Sequence, residues 1–107
     1  MTRIELIEFI GDVITKLDVL AGSMLPNNPN QKIVMDAREE LDAKHLKLVQ
    51  NIFNDNTQKF KDATEKIVEI NKDLKKTIAD LDKLVTTLEN INKFIGAVDK
   101  LIQAVIP

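Results

Sequence analysis

The sequence predicts an all-α protein, and three features carry that prediction. Gly and Pro occur only three times each in 107 residues, too rarely to punctuate a fold of many short strands. Thr2-Arg3-Ile4-Glu5 has the form of a capping box, and from Leu46 onward apolar residues recur every seven positions. The expected architecture is one domain spanning residues 1–107. It has an N-terminal helix over 3–22, a Pro/Asn turn over 23–30 and a very long heptad-patterned helix over 31–106, with a possible break at 54–57. Such a helical hairpin or bundle would be completed by oligomerisation.

The first helix follows from its cap and its stripe. The Thr2 hydroxyl is placed to accept from the Glu5 amide while the Glu5 side chain returns to the Thr2 amide. Ile7, Ile10, Ile14, Leu17 and Ala21 recur at helical spacing, flanked by Leu6, Phe9, Val13 and Leu20, so the apolar face is wide enough to touch more than one neighbour. Gly22 and Ser23 are plausible terminators. Met24-Leu25-Pro26-Asn27-Asn28-Pro29-Asn30 concentrates turn formers, with Asn30 as the expected cap of the next helix.

Beyond Asn30 neither Gly nor Pro returns until Gly96. With Leu46 as position a, the a series runs Phe53, Phe60, Ile67, Leu74, Leu81, Leu88, Ile95 and Ile102. The d series is Val49, Asn56, Ala63, Ile70, Thr77, Leu84, Ile91, Val98 and Val105. Sixteen of these 18 positions are apolar, which points to a helix packed along a left-handed supercoil. Asn54-Asp55-Asn56-Thr57 suggests a turn, with Thr57 as a cap, but Phe53 and Phe60 stay in phase across it, which favours a continuous helix. Glu40 with Lys44, Asp55 with Lys59, Asp62 with Lys66, and Glu89 with Lys93 have the i,i+4 order of helix-surface ion pairs. Ile78, Val85, Phe94 and Leu101 widen the stripe, favouring a bundle of three or more helices over a two-stranded zipper.

A helix over 31–106 would be about 110 Å long and the first helix about 30 Å, so one cannot cover the other. The expected partner interface is therefore the uncovered stripe: Phe60, Ile67, Ile70, Leu74, Leu81, Leu84, Leu88, Ile91, Ile95, Val98 and Ile102. Asn56 and Thr77 are the polar core positions expected to set register. The partner is another copy of the chain or another helical protein.

Composition narrows the remaining classes. No Cys is present, so disulfides and thiolate chemistry are excluded. Fifteen basic against 17 acidic residues, with no run of like charge longer than two, argue against nucleic acid. His45 with Asp42 three residues earlier has a ligand spacing, but a bundle metal centre needs a second such motif and more carboxylates. No catalytic, cofactor-binding or metal-ligating residues are expected, and Glu39-Glu40 or Asp80 and Asp82 read as solubilising charges.

Glu5, Glu8 and Asp12 interrupt the first segment as no signal-peptide core would tolerate. No stretch reaches the roughly 20 apolar residues of a membrane span. The compartment is not fixed by these features; a soluble, cytoplasmic protein is favoured. The expected function is a non-enzymatic coiled-coil interaction or scaffold subunit. The alternative is a membrane-acting helical component of a secreted or toxin-like assembly, engaging a membrane surface through the apolar tail from Ile91 to Pro107.

Overall fold

In the computed structural model, which describes residues 1–107, the first helix, α1, runs Arg3–Gly22. Both halves of the capping box form: Glu5 N–H donates to Thr2 Oγ1 at 3.1 Å, and Thr2 N–H to Glu5 Oε1 at 2.9 Å. The Thr2 amide, and secondarily its hydroxyl, hold the Glu5 carboxyl below its ordinary pKa. A lowered folded-state pKa gives a contribution that is complete above the unfolded value and fades as pH falls through the folded one. Thr2→Ala is expected to cost about 1 kcal/mol in urea unfolding at neutral pH, and less in acid, where Glu5 is already protonated.

Ser23 to Asn28 turn the chain. The second helix, α2, spans Pro29–Gln50, with Pro29 in the first turn and Asn28 as the cap, its side chain accepting from Asn30 N–H at 2.9 Å. The cap is thus Asn28, two residues before the expected Asn30, because Pro29 needs no hydrogen-bond acceptor at the first helical position. Gln31 Nε2 donates to Ala21 O at 3.0 Å, tying the start of α2 to the end of α1.

The long helix is not formed. Helix α2 ends at Gln50, α3 runs Gln58–Thr77, and α4 runs Leu84–Val105 after a single 3-10 turn at Leu81–Lys83. The longest dimension of the molecule is 43 Å, against about 110 Å for the expected helix. At the first break, Asn54 Oδ1 takes the Asn56 amide at 2.9 Å and Thr57 Oγ1 takes the Phe60 amide at 3.1 Å. Each is a local bond that competes with helix propagation. At the second, Asp80 Oδ1 accepts from Asp82 N–H at 3.0 Å, the same device one connection later.

The four helices form two antiparallel hairpins, α1–α2 and α3–α4, joined mainly where α2 lies along α4. Helices α2 and α4 both finish near the 51–57 connection, where Asn54 and Thr57 adjoin Ala104 and Val105, so they run parallel. Lys44 Nζ reaches Asp99 Oδ1 at 3.0 Å between them. Arg38 pairs with Asp18 across α1–α2 at 3.0 Å. The expected Glu40–Lys44, Asp55–Lys59, Asp62–Lys66 and Glu89–Lys93 pairs are absent, and the i,i+4 pairs that do form are Lys32–Asp36 and Arg38–Asp42.

The core collects the inner faces of all four helices. Leu6, Ile10, Val13 and Leu17 of α1 meet Val34, Leu41 and Leu48 of α2, Phe60, Ile67 and Leu74 of α3, and Ile91, Phe94, Val98 and Leu101 of α4. Phe9 and Phe94 stack with ring centroids 6.4 Å apart, linking α1 to α4. In α3 the buried face combines the a positions with Thr64 and Asn71 at e; in α4 it combines a and d with Thr87, Phe94 and Leu101 at g. Each helix thus buries a wider face than a two-stranded seam, as bundle packing requires.

Candidate interaction surfaces

Folding the heptad helix back on itself redistributes the expected interface. Phe60, Ile67, Leu74, Ile91, Ile95, Val98 and Ile102 are buried in the chain's own core, and Ile70, Leu84 and Leu88 are partly covered. In the single chain α3 and α4 face each other across the turn at 78–83, so the stripe is covered without a partner. Leu81 alone of the eleven remains on the surface, 47% exposed. Asn56 lies exposed in the 51–57 connection and is not a core residue. Thr77 is buried, its hydroxyl directed at Leu74 O at 3.5 Å.

Leu81 lines a cleft of about 380 Å³ with Lys16, Val19, Leu20, Ser23, Ile78 and Ala79. The last turn of α1 supplies one wall and the α3–α4 connection the other. Five of the seven lining residues are apolar, and Val19 is 68% exposed. Val85, four residues beyond Leu81 at the start of α4, is 73% exposed. The sequence marked Ile78 and Leu81 as apolar but not Val19 and Ala79 as their companions. The available signal was the second Asx turn at Asp80, which takes Leu81 out of the stripe.

A second exposed apolar group closes the other end of the molecule. Leu46 and Val49 project from the last turns of α2, and Ile52 in the connection is 94% exposed. Between α3 and α4 a second depression, of about 500 Å³, is lined by Ile70, Gly96 and Ala97 together with Lys66, Glu69, Asp73, Lys93 and Lys100. Its rim mixes both signs of charge and selects no single ligand chemistry.

The polar candidates are occupied by the fold itself. His45 Nε2 lies 2.9 Å from Ile7 O, bridging α2 to α1, and Asp42 faces Arg38 at 3.7 Å. No group of three or more His, Asp or Glu side chains stands close enough to hold a metal ion. No helix is long and apolar enough to cross a membrane.

These observations define an all-α bundle of two hairpins with apolar surface at both ends. Among known proteins, no family model, no curated protein and no solved structure matches the chain.

Proposed function

We propose that the chain is a non-enzymatic interaction or scaffold subunit, and that its docking surface is the cleft around Leu81 rather than the heptad stripe. The observation that supports this reading is the apolar character of that concave site. Val19, Ile78 and Leu81 expose apolar area that association would remove from water at about 25 cal/mol per Å². A ridge of two or three apolar side chains, as one face of a helix presents, matches such a cleft. The occupant is a helix of a second copy of this chain.

Sedimentation equilibrium over a wide concentration range tests it. The wild-type chain should associate as concentration rises, and Leu81→Asp should shift association to at least tenfold higher concentration with an unchanged circular dichroism spectrum. A chain that stays monomeric throughout, or one whose association is indifferent to Leu81→Asp, overturns the proposal. The membrane-surface alternative requires Phe94, Ile95, Val98, Leu101 and Ile102 to leave the core in which they are buried. Retention on liposomes in co-sedimentation would favour it.

A further inference from the structure

Besides the local Asn54 and Thr57 bonds, one residue of α1 holds the connection between the hairpins. Arg3 Nη2 donates to Leu48 O at 3.0 Å and to Val49 O at 2.9 Å, and Arg3 Nε donates to Asn51 O at 2.9 Å. In a continuing helix these three carbonyls would accept from the amides of Ile52, Phe53 and Asp55. The Arg3 amide also donates to Asp55 Oδ2 at 2.7 Å, and the guanidinium lies over the Phe53 ring, 5.7 Å from its centroid. Arg3 therefore caps α2 and pins the connection in the same set of contacts.

Two further features concern what would follow if those contacts were released. The connection is seven residues long, 51–57, so making it helical adds one whole heptad and keeps Phe53 and Phe60 in phase. Each hairpin is a continuous antiparallel pair, and the contacts between hairpins are fewer than those within them.

We infer that residues 51–57 are a hinge through which two copies of the chain exchange their α3–α4 hairpins, with Arg3 as the latch that keeps the chain closed. In the exchanged form Pro29 to Thr77 make one helix of about 74 Å. Two such helices cross antiparallel, and each half restores the four-helix core with α3 and α4 supplied by the other copy. The antiparallel relation of α2 to α3 within each core is the one present in the single chain. At the crossing the two helices are related by a two-fold axis near Asn54, so Phe53 of one copy lies beside Phe53 of the other. Exchange between identical chains needs no new core contact. The inference does not depend on the cleft around Leu81.

The Lys44–Asp99 ion pair reports the exchange, because it joins α2 to α4 and so becomes a contact between chains only in the exchanged form. The experiment treats an equimolar mixture of isotopically light and heavy Arg3→Ala/Asp55→Ala chains, refolded together at high concentration, with a carbodiimide and sequences the cross-linked peptides. Dimers with light–heavy Lys44–Asp99 links, and a dimer association constant at least tenfold above wild type, are expected. Monomers, or dimers whose Lys44–Asp99 links lie only within one chain, overturn the inference. If that variant does not fold, Arg3→Met, which keeps the aliphatic stem over Phe53 and deletes the three guanidinium bonds, is refolded in the same way, and the same two outcomes decide.

Discussion

Replacing Phe94 by Ala is expected to lower the unfolding free energy by about 3–5 kcal/mol, measured by urea unfolding followed by far-UV circular dichroism. Phe94 is completely buried and its ring stacks on Phe9, so truncation removes both the apolar burial of α4 and its main aromatic contact with α1. A domain of this size has a total stability of roughly 5–15 kcal/mol, so the variant should be partly unfolded or close to it at room temperature. Leu81→Ala should change stability by no more than about 0.5 kcal/mol, because its side chain is already half in water. The pair discriminates between two readings of one pattern. In a long helix with an a/d seam, Leu81 at a would matter more than Phe94 at g. In a four-helix bundle the order is reversed, and equal effects at the two positions would contradict the observed packing.

That contrast explains how far the sequence could be read. The class, the first helix and its cap were legible because they depend on local rules: Thr2 and Glu5 sit three residues apart, and Pro26 and Pro29 cannot be placed in a helix interior. The two later breaks were hidden by the heptad itself. A connection of seven residues at 51–57 leaves the positions of α2 in heptad phase with those of α3 along the sequence, so periodicity alone cannot distinguish a straight helix from one folded back on itself. The distinction lies in Asn54 and Asp80, whose short side chains bond the backbone two residues ahead, and in Thr57, which caps α3. These local bonds prevail because folding back buries the stripe from Phe60 to Ile102 without a partner. The expected interface residues were correctly apolar but belonged to the interior; a surface cleft between separate segments has no sequence periodicity, so Val19 and Ala79 could not be read from it.

The polar residues of the core lead to the second large prediction. Thr64, Asn71, Thr77, Thr87 and Asn90 are buried, and the Oδ1 of Asn71 and Oγ1 of Thr87 have no hydrogen-bond partner. Burying such an atom without a bond costs about 1–3 kcal/mol. Valine matches threonine in shape and helix propensity, so Thr87→Val is expected to raise the unfolding free energy by about 1–2 kcal/mol. Asn71→Leu should do the same by a similar amount, whereas Thr87→Ala should gain less because it also deletes a packed methyl. A loss of stability in Thr87→Val would instead mean that a buried water bonds the hydroxyl, since a water in the core makes several such bonds and is costly to displace. If both apolar variants are more stable, the two groups serve something other than stability. Their positions on α3 and α4, the two helices that must pair antiparallel, fit a role in fixing how the hairpin registers, at a cost that an all-apolar interface would avoid. The register role has its own readout: Asn71→Leu/Thr87→Val should gain stability yet broaden its core amide resonances, as alternative pairings of α3 with α4 become accessible. Sharp, singly populated resonances in that double variant would remove the register role and leave the buried polar atoms as a simple cost.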